Sequence, residues 1–188
     1  MQVFFVTHPE VVIDPAVPVP RWRLSPAGIA AMRRFSLEPA LRGVEAIWSS
    51  TEAKSIEAAG ILAAERGIGL SVHAGLGEND RSATGYLPKA EFEALADRFF
   101  AEPERSIRGW ERAVDAQARV VVAVRDILQG HGGRGDLALV SHGGVGTLLL
   151  CHLLGEPISR RHDQPAQGNL FRFDPASWRV LEGWRPLG

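Results

Sequence analysis

The stretch that most constrains this chain is Leu137-Ala138-Leu139-Val140-Ser141-His142-Gly143-Gly144-Val145-Gly146, with Thr147-Leu148-Leu149-Leu150 behind it. A short apolar run ends in a histidine, two glycines follow, and a second apolar run begins. Bounded by Gly-Asp before and Gly-Gly after, the first run reads as a strand buried on both faces. A tight turn and a helix start come next. Glycine there lets the backbone come close to a bound group, and the N–H groups of a helix start favour an anion. A histidine at that place can exchange protons near neutral pH. The N-terminus repeats the theme: Gln2-Val3-Phe4-Phe5-Val6 runs straight into Thr7-His8-Pro9. Two strands thus carry a histidine at the carboxyl end, where open α/β sheets bind ligands. Neighbouring strands would place both imidazoles on one pocket.

Between and around these strands the chain alternates. Asp14-Pro15-Ala16-Val17-Pro18-Val19-Pro20 is too rich in proline for a helix or a central strand, and reads as an extended loop. Ser25-Pro26 opens a helix over about 27–40. Ala46-Ile47-Trp48 reads as a strand, and 52–66 as an alanine-rich helix that Ser50 or Thr51 can cap and Gly67 can end. Leu70–His73 reads as a third strand, 75–85 as an irregular loop, and about 88–100 and 110–128 as two helices. Gly130–Gly135 is a flexible connection to the central strand. The last segments, 168–173 and 179–182, read as an antiparallel pair turning at Asp174-Pro175. The expected fold is α/β, a three-layer α/β/α sandwich. A mixed, mostly parallel sheet of about six strands has helices on both faces. With 188 residues, the expectation is one domain over 1–188.

Composition narrows the partners. The formal net charge is -1, with no basic tract, which argues against nucleic acid and an anionic membrane surface. No apolar run reaches the length of a membrane span, and the N-terminus begins as a strand without a charged leader. A cytoplasmic location is the expectation. The single cysteine, Cys151, lies in an apolar run and reads as a small core residue. No His-Glu-x-x-His spacing or similar metal-ligand pattern occurs.

Four segments, in order, resemble the histidine phosphatase superfamily, which includes the cofactor-dependent phosphoglycerate mutases. Thr7-His8-Pro9 looks like its opening Arg-His-Gly motif. Ser49-Ser50-Thr51-Glu52-Ala53-Lys54 is similar to the segment in which two serines end a strand and a phosphate-binding arginine follows. Leu76-Gly77-Glu78 resembles the loop with the acidic proton donor, and Val140-Ser141-His142-Gly143-Gly144 the second-histidine motif. The resemblance implies that His8 attacks phosphorus and that His142 stabilises charge on the equatorial oxygens. It implies that Glu78 protonates the leaving oxygen and later activates water, and that Thr7, Lys54 and the Gly143 N–H contact phosphate oxygens. No metal and no cofactor are implied.

The family has arginine where Thr7 and Lys54 stand, so another cation is expected. Arg81 is the first candidate, and Arg21 and Arg23 come next. Arginine grips phosphate through a planar fork, whereas lysine is a point charge. The implied function is a metal-independent phosphomonoesterase that works through a phosphohistidine on a small phosphorylated metabolite. The alternatives are a phosphoglycerate mutase-like phosphotransferase, or a domain that binds phosphorylated ligands with little or no turnover.

Overall fold

A computed structural model describes residues 1–132 and 135–188. The Gly130–Gly135 connection expected above therefore falls partly outside the described residues, at 133 and 134. Among the described residues the sheet has six strands: β1 (Val3–Thr7), β2 (Val44–Ser49), β3 (Leu70–Val72), β4 (Asp136–Ser141), β5 (Asn169–Asp174) and β6 (Arg179–Pro186). Their spatial order is β3-β2-β4-β1-β5-β6. Strands β3, β2, β4 and β1 are parallel, and β5 and β6 add antiparallel pairs at one side.

Among the described residues five α-helices cover the sheet: α1 (Pro26–Ser36), α2 (Ala53–Arg66), α3 (Lys89–Ala101), α4 (Ala113–Gly130) and α5 (Gly143–Leu154). Side-chain alternation along β1 sorts them into two layers. Phe4 and Val6 join Met32 and Phe35 of α1 and Ala58, Ala59 and Leu62 of α2 in one core. Val3 and Phe5 join Phe99 of α3, Val120 and Val124 of α4 and Leu148 and Leu149 of α5 in the other. Residues 3–6 and 137–140 are wholly shielded from solvent, as expected of central strands covered on both faces. The three-layer α/β arrangement is the one the sequence implies.

Two local expectations are corrected. The first helix stops at Ser36 instead of running to about 40, and a short 3-10 turn covers Pro39–Gly43. Pro39 disfavours helical backbone at Glu38, which is extended (φ -60°, ψ 132°). The second correction concerns α2: neither Ser50 nor Thr51 caps it. The boundary residue is Glu52, whose side chain makes no capping hydrogen bond among the described residues. The Ser50 hydroxyl has a different partner, described next.

Candidate active site

Parallel pairing of β1 and β4 builds the centre of the site. Thr7 is the register partner of Ser141, and the His8 N–H donates to the Ser141 carbonyl at 3.1 Å. The residues that leave the two strands, His8 and His142, therefore emerge side by side. Their rings are 5.2 Å apart, centroid to centroid, edge to face at 66°. The register of β2 brings in a third group. The Ser50 N–H donates to the Val140 carbonyl at 3.1 Å, and the Ser50 hydroxyl lies 2.7 Å from His142 Nε2.

The tautomer of His8 follows from its partner. Its Nδ1 lies 2.9 Å from the Pro9 carbonyl oxygen, which only accepts, so Nδ1 carries the proton and Nε2 bears a lone pair. Burial, with the nearby charge of Lys54, lowers the His8 pKa to about 4. The ring is thus neutral near neutral pH, as a nucleophile must be. Burial likewise holds His142 well below the ordinary imidazole value, against the pull of Glu52. His142 is wholly buried, and its Nδ1 has no hydrogen-bond partner among the described residues.

The loop after β3 delivers Glu78 to the start of α5. One carboxylate oxygen accepts from the Gly144 N–H and the other from the Val145 N–H, each at 3.0 Å. The helix start thus holds an anion, and that anion is a side chain of the protein. This approach needs the glycine: a Cβ on Gly144 would stand 2.6 Å from Glu78 Oε1. Gly143 is crowded in the same way, with its Cβ position 2.2 Å from Gln164 Nε2. The Gly143 N–H, first in the helix, has no intrahelical acceptor.

The expected phosphate ligands fall in different settings. Lys54 is buried; its Nζ donates to the Val19 carbonyl at 3.0 Å and pairs with the Glu52 carboxylate. Arg81 packs its guanidinium 5.0 Å from the centre of the Phe92 ring and 5.7 Å from that of Trp110. Its positive charge opposes protonation of both histidines, and among the described residues it pairs with no carboxylate. Thr7 is buried, and its hydroxyl donates to Gln164 Oε1 at 2.6 Å and accepts from the Asn169 N–H at 2.9 Å. Arg21 and Arg23 lie at the surface, Arg23 paired with Glu57. Among the described residues no group of three or more His, Cys, Asp or Glu could hold a metal ion, and no helix is long and apolar enough to cross a membrane.

Three participants were not singled out from the sequence. Ser50 appears there as a possible helix cap and as one of two serines ending a strand, with no role at the site assigned to it. Glu52 enters with its backbone partner: Oε1 accepts from the Glu78 N–H at 3.0 Å and lies 3.4 Å from His142 Nε2. Burial works against its charge, yet His142 and Lys54 hold the carboxyl at about 2. Arg119, on α4, donates to the carbonyls of Gly75, Gly77 and Glu78 at 2.9–3.2 Å and forks onto Glu111. It clamps the loop that carries Glu78. The Ser-Ser-Thr-Glu spacing offered a signal for Ser50 and Glu52. Arg119 offered none, because an arginine on a helix becomes a loop clamp only through long-range packing.

The chain matches the model of the histidine phosphatase superfamily (branch 1) over residues 19–184. No curated protein matches the chain by sequence. Among solved structures it is similar to a mycobacterial glucosyl-3-phosphoglycerate phosphatase with inorganic phosphate. That likeness has 20% identity and a TM-score of 0.75, covering 98% of this chain and 94% of the other. It is similar to YhfR of Bacillus stearothermophilus, with 22% identity and a TM-score of 0.76 over 96% and 95% of the two chains. It is also similar to a phosphoserine phosphatase of Entamoeba histolytica in complex with 3-phosphoglyceric acid. Here identity is 13% and the TM-score 0.72, over 96% and 94%. At these identities the likeness bears on the fold, and the family match extends over most of the sequence. With two strand-end histidines meeting at the start of α5, this chain belongs to the histidine phosphatase superfamily.

Proposed function

We propose that residues 1–188 form one domain that hydrolyses a small phosphorylated metabolite as a phosphomonoesterase, through a phosphohistidine on His8. The observation that carries this is the pair of His8 and His142 rings 5.2 Å apart, with the His8 proton fixed on Nδ1 by the Pro9 carbonyl and burial opposing a second proton on Nε2. In the first step Nε2 forms a bond to phosphorus as the bond from phosphorus to the ester oxygen breaks. Glu78, carrying a proton when the ester is bound, gives it to that leaving oxygen. In the second step Glu78 takes a proton from water, the water oxygen attacks phosphorus, and the bond to Nε2 breaks to regenerate His8 and release phosphate. Splitting one displacement into two easier ones is the gain from a covalent intermediate. His142, Lys54, Arg81 and the Gly143 N–H supply positive potential to the phosphoryl oxygens, and the chemistry uses no metal and no cofactor. The similar mycobacterial and amoebal proteins, a glucosyl-3-phosphoglycerate phosphatase and a phosphoserine phosphatase, support this substrate class.

The test is p-nitrophenyl phosphate hydrolysis, with a panel of phosphorylated metabolites, by the wild type and His8→Ala. Loss of about 10³-fold or more in kcat is expected for removal of the nucleophile. Equal rates would refute the proposal. A second reading, a phosphorylated-ligand binder without turnover, draws on the pairing of Lys54 with Glu52 and on the committed Thr7 hydroxyl. Acid-labile, base-stable transfer of labelled phosphate to the protein would exclude it.

A further inference from the structure

Glu52 is a carboxylate where a phosphate site ordinarily gathers positive charge. We propose that it sets the ionic form of the ligand: the site takes a phosphoryl group as its monoanion, whose remaining P–O–H donates a hydrogen bond to the Glu52 carboxylate. This rests on the phosphoryl site proposed above and deepens it.

The charges around the site carry the inference. Lys54 Nζ is paired with Glu52, and the two side chains are only 4% and 12% exposed. The charge of the cation that stands where the family has an arginine is thus partly offset by a carboxylate within the site. The Glu78 oxygens are taken by the N–H groups of α5, and Arg119 is committed to Glu111 and three carbonyls. Arg81 is the cation near the histidines that pairs with no carboxylate among the described residues.

A dianion entering here meets one unpaired guanidinium and a carboxylate of its own sign. A monoanion presents one fewer charge and a donor, and an O–H donating to a carboxylate makes one of the stronger hydrogen bonds available. The groups that face Glu52 are His8 after β1, Lys54 from α2, His142 ahead of α5, Arg119 from α4, and the Glu78 backbone from the loop after β3, while Arg81 acts on the two histidines. A phosphate monoester loses its second proton near pH ~6. Burial lowers both imidazoles and neighbouring groups lower the Glu52 carboxyl from their ordinary values, so the ligand's own ionisation dominates the interval between pH 5 and 8.

The experiment is calorimetric binding of phenylphosphonate, a non-hydrolysable probe, between pH 5 and 8, by the wild type and Glu52→Gln. The wild-type affinity is expected to fall toward tenfold per pH unit above the probe's second ionisation. Glu52→Gln leaves Lys54 unpaired and should flatten that slope, so that at pH 8 it binds at least tenfold more tightly than the wild type. Wild-type affinity that is flat or rising as the probe becomes dianionic overturns the proposal, even if the variant does not fold. Absence of binding at any pH, or an unchanged slope in Glu52→Gln, overturns it as well. Binding needs no turnover. A chain that shows the slope but hydrolyses no ester would sink the phosphomonoesterase and keep the role of Glu52; active hydrolysis with no slope would do the reverse.

Discussion

The imidazoles of His8 and His142 meet edge to face at 5.2 Å because Thr7 and Ser141, the residues before them, are register partners on adjacent parallel strands. A shift of one residue in that pairing would turn the last side chains of β1 to the other face of the sheet. The site is therefore as firmly fixed as the central pair of strands. Its outer parts are held by a few named hydrogen bonds, and the residues that make them can be tested one at a time.

Activity should fall on the acid side as His8 gains a proton. With its pKa at about 4, His8 is neutral from pH 7 down to pH 5, and its protonation contributes a loss toward tenfold per pH unit only below about 4. Stability follows from the same shift. Between its ordinary value of 6.5 and about 4, the unfolded chain binds the proton and the folded chain does not. Stability therefore drops as pH falls through that window, by about 3 kcal/mol when the shift is traversed in full. Urea unfolding of the wild type and His8→Ala at pH 7 and 4.5 measures it: the variant should lose less on acidification.

Ser50→Ala should destabilise the fold. It removes the group 2.7 Å from His142 Nε2, inside a site where Nδ1 already has no partner among the described residues. The cost of an unsatisfied buried nitrogen is about 1–3 kcal/mol. A lower urea midpoint with an unchanged slope is the expected result.

Gly144→Ala should act on catalysis. Its Cβ would overlap Glu78 Oε1 at 2.6 Å and drive the carboxylate from the start of α5. A misplacement of about 1 Å in a reacting group can cost roughly 10²-fold. We expect kcat to fall by about that factor, while inhibition by inorganic phosphate changes by no more than a few fold. Steady-state kinetics with phosphate as a competitive inhibitor checks both.

Arg119→Met should loosen the loop that carries Glu78. Three carbonyls lose their shared donor and Glu111 loses its partner. A stability loss of about 2–3 kcal/mol is expected, with kcat reduced more than KM is raised. Arg119→Lys should restore little, because one ammonium cannot reproduce the fork. Thermal unfolding and hydrolysis kinetics of the two variants provide the comparison.

The sequence by itself determined the order of strands and helices, the two histidines at strand ends, the glycines at the start of α5 and the Leu76–Glu78 loop. These are local signals: apolar runs of strand length, turn residues, and a histidine where an apolar run stops. Tertiary structure alone decided what the polar groups do. It turned Ser50 from a possible helix cap into the partner of His142, and committed the Thr7 hydroxyl to Gln164 and Asn169. It paired Lys54 with Glu52, and brought Arg119 from a distant helix onto the loop of Glu78. The reason is physical. Hydrophobic periodicity is written along the chain, whereas a charge or hydroxyl takes its role from whichever partner the packed core brings within about 3 Å.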